Sequence, residues 1–191
     1  MPRPKGLIFV VSAPSGCGKT SLIKALLKNS KNLVRSVSFT TRPLRRGERK
    51  GVDYNFISDE EFRRRLKRKG FLEWSKPFGH YYATPKDFVE KNINRGKDVI
   101  LSLDVKGALF FRKNFKNAVL IYVLPPSLKA LKDRLIHRST DDFKEILKRL
   151  SFAKKDVLNL KSYDYAVVNN NFSEAVKRLK AILNAERQKV R

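Results

Sequence analysis

The sequence predicts an α/β fold in which helices pack against a parallel β-sheet. Short apolar runs alternate with amphipathic stretches along most of the 191 residues, which is typical of βαβ units. A glycine-rich loop over residues 13–20 follows the first apolar run and precedes the first amphipathic stretch. Residues 38–84 break the alternation with several short β-like pieces, which indicates an insertion into the main fold.

The first elements are a strand, a helix and a second strand. The apolar run over 6–12 is rich in β-branched residues and stops at Pro14 and Gly16, so it predicts a buried strand. Apolar residues lie on one face of the stretch 21–28, which predicts a helix. A further strand pattern covers about 33–39.

The insertion is predicted to combine one helix with short strands. Ser58 followed three residues later by Glu61 is the signature of a capping box, and it predicts a helix over 58–69 that ends at Gly70. The β-like pieces that surround this helix cover 54–57, 71–74 and 78–82.

The alternation of strands and helices returns after residue 84. Strands are predicted over 99–103, 118–124 and 165–168. Helices are predicted over 85–95, 127–137 and 142–160, with a closing helix whose apolar stripe runs from 175 to 183. Asp104 directly follows one of these strands, so its carboxylate is expected near the carboxyl edge of the sheet.

Length and composition exclude several classes of protein. At about 150 residues per domain, the chain corresponds to one domain. Hydrophobic residues make up 41%, which is too many for a disordered chain. No apolar run approaches the roughly 18 residues of a membrane span, so no membrane association is expected. The single cysteine, Cys17, and the lack of a signal-peptide pattern favour the cytoplasm.

The charge of the chain is strongly basic, with 43 lysines and arginines against 18 acidic residues and a formal net charge of +25. Such a surface attracts anions such as nucleotides and nucleic acids. The basic residues are spread along the whole chain, so a generally basic surface without a dedicated partner is the alternative. We therefore expect nucleic acid to bind only weakly and without sequence specificity, with an affinity that falls steeply with salt.

The loop over 13–20 reads A-P-S-G-C-G-K-T. It matches the Walker A pattern at every fixed position except the first, where Ala13 replaces glycine. A strand precedes it and a helix follows it, as in P-loop proteins, so we expect the three-layer P-loop fold. Cys17 lies at a variable position of the loop and is expected to be a small spectator residue.

The residue types of this loop suit phosphate binding. Gly16 and Gly18 allow backbone N–H groups to turn toward a phosphate, and the positive end of the following helix points to the same place. Lys19 can reach the β- and γ-phosphates of a nucleotide, and the Thr20 hydroxyl can ligate Mg²⁺. The predicted phosphate-binding residues are Ala13, Pro14, Ser15, Gly16, Cys17, Gly18, Lys19 and Thr20.

A P-loop alone leaves the phosphoryl acceptor open among water, a sugar, a nucleotide and a protein. Arg42 and Arg45 lie in a basic loop that leads to Tyr54. Arginine binds phosphate through two N–H groups at once, and a tyrosine hydroxyl can complete the set of donors. A solvated basic loop is the alternative interpretation of this segment.

Several segments together resemble the guanylate kinase family, in the family's order and over nearly the whole chain. Segment 36–56 resembles the family's nucleotide-binding segment, 134–140 and 148–150 resemble its lid, and Y-A-V-V-N at 165–169 resembles its late strand and loop. Between these lie F-L-E-W at 71–74, H-Y-Y-A-T-P at 80–85 and S-L-D-V-K-G-A at 102–108.

The resemblance implies an activity and a division of the chain. The activity is transfer of the γ-phosphoryl group from ATP to GMP, and to dGMP, with Mg²⁺, in purine nucleotide metabolism. The partners are then the small molecules GMP and ATP, and the protein is a monomer or a homodimer. The division is a single domain with a core over about 1–35, 85–137 and 155–191, a GMP-binding insertion over about 36–84 and a helical lid over about 138–154.

The resemblance also implies roles for individual residues. The GMP phosphate would be held by Arg42, Arg45, Tyr54 and Tyr82, and guanine by Ser38, Glu73, Thr84 and Asp104. Asn169 would contact the ATP nucleotide. The phosphate of GMP is already a nucleophile because its second pKa is about 6, so catalysis depends on cations and needs no base. The implied catalytic cations are Lys19, Arg42, Arg134, Arg138 and Arg149.

The sequence departs from the family's usual residues at three positions, where Ala83 and Ser139 replace glycine and Ser102 replaces aspartate. Other functions remain open at this point. A related interaction domain without catalysis is disfavoured by the intact Lys19 and Thr20. A nucleic-acid-binding P-loop protein has no supporting motif, and a kinase for another nucleoside monophosphate is disfavoured by the implied guanine pocket.

Overall fold

The structure is a computed structural model that describes residues 5–28, 30–138 and 143–190. Ser139, and with it residues 139–142 of the predicted lid, lies outside the described residues. The strands are β1 (Ile8–Ser12), β2 (Leu33–Arg35), β3 (Phe39–Thr40), β4 (Asn55–Phe56), β5 (Phe71–Ser75), β6 (Tyr82–Pro85), β7 (Asp98–Leu103), β8 (Val119–Leu124) and β9 (Tyr165–Val168). The α-helices are α1 (Lys19–Lys28), α2 (Asp59–Lys67), α3 (Lys86–Asn94), α4 (Val105–Asn114), α5 (Leu128–Arg138), α6 (Phe143–Val157) and α7 (Phe172–Gln188).

Five strands form a sheet in the order β2-β7-β1-β8-β9, and the predicted α/β class with a parallel sheet is confirmed. In the register of β1 against β8, Phe9 lies opposite Val119 and Ser12 opposite Tyr122. Every residue of β1 is buried. Continuous apolar strands of this kind are expected where a parallel sheet is covered on both faces. In the part of the chain that is described, no helix has the length and apolar character needed to cross a membrane.

The chain divides into two compact units. The first contains the described residues of 1–8 and 32–101, and the second those of 9–31 and 102–191. The first unit contains a second sheet in the order β4-β3-β6-β5, in which β6 runs antiparallel to both β3 and β5. The second unit contains the P-loop and helices α1 and α4 to α7.

A small aromatic core supports the second sheet. Phe62 of α2 is fully buried, and its ring stacks on Phe71 at 4.9 Å and on Tyr81 at 4.6 Å between centroids. Side chains alternate along β5, so Glu73 is buried while Trp74 is 48% exposed. The strand pattern at 71–74 therefore directs a carboxylate, and not the indole, into the interior.

Both ends of α2 have a local explanation. The Ser58 hydroxyl accepts the backbone N–H of Glu61, which confirms the predicted cap. At the other end, Lys69 takes a left-handed φ of +54°, and the N–H groups of Lys69 and Gly70 donate to the carbonyls of Leu66 and Arg65. This hydrogen-bond pattern usually places glycine where Lys69 stands. The helix therefore ends before Gly70.

Some predicted elements differ from those observed. The strand predicted over 33–39 is two strands, β2 and β3, and the strand predicted over 78–82 is wrong because a 3-10 helix, Pro77–Gly79, precedes β6. Helix α4 has no counterpart among the predicted elements. The buried face of this helix is short and consists of Gly107, Ala108 and Phe111. The helix begins where the Asp104 carboxylate accepts the Gly107 N–H at 2.7 Å.

Candidate nucleotide-binding sites

The P-loop of the second unit has the backbone that its glycines predict. Gly16 and Gly18 have φ values of +89° and +84°. A Cβ on Gly18 would lie 2.8 Å from Nδ2 of Asn169, so conformation and space both require glycine there. Among the described residues, Lys69 alone is a non-glycine with positive φ, so Ala13 fits its position without strain.

Lys19 and Thr20 begin helix α1. The Lys19 ammonium donates to the carbonyl oxygen of Leu103 at 2.8 Å, at the carboxyl end of β7. Thr20 is exposed. The first turn of α1 carries no acidic residue, so its positive end is not neutralised by the helix itself. This end of the helix is suited to hold an anion.

Asn169 connects the P-loop to α5. Its side-chain amide donates to the carbonyl of Cys17 at 2.8 Å, and its own carbonyl accepts from the Arg134 guanidinium at 3.0 Å. Only 6% of Asn169 is exposed. The residue predicted to contact nucleotide therefore also positions the loop and one of the predicted catalytic arginines.

The two other predicted arginines of the second unit belong to α5 and α6. Nη1 of Arg149 lies 3.5 Å from the exposed Ser15 hydroxyl, at the outer limit of a hydrogen bond, which places this cation beside the P-loop. Arg138 is the last residue of α5, and its side chain lies outside the described part of the structure.

Asp156 of α6 is a carboxylate that the sequence did not single out. Burial, and then the neighbouring Asp104, raise the pKa of its carboxyl group, while Lys19 lowers it. Its only signal in the sequence is that it interrupts a basic stretch of an amphipathic helix. Among the described residues, no group of three or more His, Cys, Asp or Glu could hold a metal ion.

The first unit brings together three of the four residues predicted to hold the GMP phosphate. Nε of Arg42 donates to the Tyr82 hydroxyl at 3.1 Å. The Arg42 guanidinium lies 5.5 Å from the ring centroid of Tyr54, whose edge contacts the Tyr82 ring. Burial, and then Tyr82, raise the pKa of the Tyr54 hydroxyl, so it remains a hydrogen-bond donor. Arg45, the fourth, is exposed.

Glu48 is the partner of Arg42 that the sequence analysis missed. Its two carboxylate oxygens lie 2.8 and 3.0 Å from Nη2 of Arg42. Burial disfavours the charged guanidinium of Arg42 and so lowers its pKa. The hydrogen bonds to Glu48 and Tyr82 outweigh this effect, and the pKa is raised. Glu48 lies six residues after Arg42 in a loop, where no helical or strand periodicity relates the two side chains. Only the folded structure therefore identifies the pair.

The residues predicted to bind guanine are divided between the units. Glu73 and Thr84 lie opposite each other on β5 and β6, where the Thr84 hydroxyl donates to Glu73 Oε1 at 2.7 Å. Only 5% of Glu73 and none of Thr84 is exposed, and Ser38 of the same unit is also buried. Glu73 is therefore not a surface carboxylate. Asp104 belongs to the second unit, where it caps α4.

Comparison with known proteins agrees with this arrangement. The family model described as guanylate kinase matches residues 5–186. The chain belongs to the guanylate kinase family. It is 48% identical to a guanylate kinase from Thermotoga maritima over 97% of this chain and 90% of the relative, and 43% identical to one from Rickettsia felis over 98% and 97%. The crystal structure of guanylate kinase from Anaplasma phagocytophilum has a TM-score of 0.84 and 34% identity, over 100% of this chain and 90% of that one.

Two of the departures from the usual guanylate kinase residues lie in described parts of the chain. Ala83 is fully buried on β6, with Phe39 and Trp74 opposite it on the neighbouring strands. Ser102 is half-buried on β7, two residues before Asp104. A methyl group at Ala83 is thus accommodated inside the sheet of the first unit.

Cys17 is expected to be unreactive in the folded protein. Burial raises the pKa of its thiol to about 12, although Arg134 and Lys19 act in the opposite direction. Because the thiolate is the reactive form, a thiol reagent at pH 8 should label native protein at least about 100-fold more slowly than unfolded protein. Cys17 is the only cysteine, so labelling in denaturant gives the reference of one thiol per chain. Rapid labelling of native protein would instead show an activated thiol.

Proposed function

We propose that this chain phosphorylates GMP with ATP as the phosphoryl donor, giving GDP and ADP. The observation that carries the proposal is the buried pair of Glu73 and Thr84 in a chain of the guanylate kinase family. A buried carboxylate requires donors, and one oxygen of Glu73 already accepts the Thr84 hydroxyl.

Guanine presents donors that this carboxylate can accept. Its N1–H and 2-amino group are adjacent, so a single carboxylate can accept both. Adenine has an acceptor at N1, which would leave the buried Glu73 facing another acceptor. The Glu73 carboxylate therefore favours GMP over AMP.

The phosphate of GMP would be held by Arg42 and Tyr82, with Tyr54 and Arg45 as further donors. Within the described residues, the Tyr54 hydroxyl and the Arg45 guanidinium make no hydrogen bond, so both are available to a ligand. These residues orient the acceptor oxygen and neutralise the phosphate. No general base is needed, because the acceptor is already an anion at neutral pH.

The phosphates of ATP would be held by the N–H groups of the P-loop and by Lys19. Thr20 supplies the hydroxyl that would hold Mg²⁺, which when bound would neutralise charge on the ATP phosphates. Arg134 and Arg149 would add positive charge beside the loop. Asn169 would keep the Cys17 carbonyl turned away from the phosphates, because it donates to that oxygen.

Other parts of this proposal rest on the sequence. They are the division into core (about 1–35, 85–137 and 155–191), insertion (about 36–84) and lid (about 138–154), and the use of dGMP. The cytoplasmic location, the monomeric or homodimeric state and weak, salt-sensitive binding of nucleic acid also remain predictions.

An assay coupled to ADP formation, with ATP and separately GMP, dGMP, AMP, UMP and dTMP, tests the proposal. We expect kcat/KM for GMP to exceed that for AMP by at least about 100-fold, because a site that hydrogen-bonds one substrate strongly rejects an analogue lacking the donors. The two pyrimidine nucleotides should be poorer still. Equal rates with AMP and GMP, or turnover that requires no acceptor, would contradict the proposal.

A further inference from the structure

The loop over residues 42–50 concentrates positive charge around one acid. It contains Arg42, Arg45, Arg46, Arg49 and Lys50, and Glu48 is its only carboxylate. Arg42 is buried, while the four other basic residues are exposed. Like charges at this density repel one another, so without a counter-charge the loop would favour open conformations.

Glu48 links the two arginines on which the phosphate site depends. Its carboxylate accepts Nη2 of Arg42 through both oxygens, and Oε2 also accepts the backbone N–H of Arg45 at 2.9 Å. The Glu48 N–H in turn donates to the Arg45 carbonyl at 3.0 Å. The side chain of Glu48 is 21% exposed and that of Arg42 is 8% exposed, so their ion pair is well shielded from water.

The hydrogen bonds of Arg42 leave N–H groups for a ligand. Nε donates to Tyr82, Nη1 to the Pro43 carbonyl at 2.6 Å, and Nη2 to the two oxygens of Glu48. The two oxygens of one carboxylate share a single hydrogen of Nη2, so of the five N–H groups of the guanidinium one on Nη1 and one on Nη2 remain. The orientation of Arg42 is thus fixed on three sides by the protein itself.

We propose that Glu48 is a positioning residue for the phosphate of the acceptor nucleotide, an inference that rests on the function proposed above. It holds the Arg42 guanidinium in one orientation and holds the backbone of Arg45 close to it. Displacing Glu48 would break its bonds to both residues and leave a buried cation without its counter-ion until the phosphate arrived. The carboxylate therefore stays in place, and the phosphate binds to the remaining N–H groups of Arg42 together with Tyr82, Arg45 and Tyr54.

The test compares binding of GMP and of guanosine by calorimetry, without ATP, in wild-type protein and in Glu48→Gln. Glutamine keeps the length of the side chain but loses the charge and one acceptor. We expect affinity for GMP to fall at least about tenfold, because small misplacements of a binding group have large effects. Affinity for guanosine should change less than about twofold, since it has no phosphate to place.

Two further variants separate charge from geometry. Glu48→Asp keeps the charge but is one methylene shorter, so it cannot reach Arg42 and the Arg45 amide together, and GMP affinity should fall here too. Glu60→Gln removes the same charge from an exposed position on α2 and should leave both affinities unchanged. In steady-state assays, Glu48→Gln should raise KM for GMP while KM for ATP stays within about twofold.

Several results would overturn the inference. Unchanged or tighter GMP binding by Glu48→Gln would mean that the carboxylate only competes with the phosphate. Equal losses for GMP and guanosine would indicate general loosening of the first unit. Wild-type protein that binds neither ligand would overturn the proposed function, and this inference with it. If wild type binds both ligands and neither Glu48 variant changes the affinity for GMP, the inference is overturned while the proposed function stands.

Discussion

Replacing Lys19 with methionine is expected to lower kcat for GMP phosphorylation by at least about 10²- to 10³-fold, the cost of removing one donor to the developing charge. Methionine keeps an unbranched apolar stem but carries no charge and no donor. In the structure the Lys19 ammonium donates to the Leu103 carbonyl, so the protein itself fixes the position of this cation at the end of the P-loop. Lys19 is not part of the apolar core, so the fold should survive.

Circular dichroism and a thermal melt check the fold of the variant, and the coupled assay checks turnover. Lys24→Met is a matched control, because it removes the same charge from an exposed position on the same helix, α1. Its kcat should stay within about twofold of wild type, since surface substitutions have small effects. Turnover of Lys19→Met close to that of wild type would show that the P-loop is misassigned.

Replacing Glu73 with glutamine is expected to lower kcat/KM for GMP at least about tenfold, which corresponds to about 1.4 kcal/mol. The amide oxygen can still accept the Thr84 hydroxyl, so the shape of the pair is kept. The amide NH₂, however, points a donor at the two donors of guanine. KM for ATP should change much less, because the predicted ATP residues lie in the other unit.

AMP should improve relative to GMP in this variant, because the donor that opposes guanine can face N1 of adenine. Glu90→Gln serves as the control, since this half-exposed carboxylate on α3 belongs to the same unit and pairs only loosely with Lys86 at 3.9 Å. Kinetics measured with GMP and AMP as acceptors give both values. Unchanged GMP kinetics in Glu73→Gln would mean that guanine does not contact Glu73.

The phosphate loop was predicted almost completely because its determinants are adjacent in the chain. The positive φ values of Gly16 and Gly18 follow from residues within one segment, and α1 begins at Lys19, two residues before the predicted start. The cap of α2 by Ser58 is equally local. Helix α4 was missed because its start depends on a single capping carboxylate and its buried face has few apolar residues.

The sequence by itself determined the fold class, the P-loop and the family resemblance, because continuous apolar runs and short motifs act over neighbouring residues. Only the tertiary structure decided which side chains of the candidate sites are in contact. Thr84 donates to Glu73 across 11 residues, Arg42 to Tyr82 across 40, and Asn169 to Cys17 across 152. Such contacts depend on how strands are paired and where helices pack, and the spacing of residues along the chain does not encode them. The burial that makes Glu73 require donors also arises from packing, because the same glutamate on an exposed strand face would be satisfied by water.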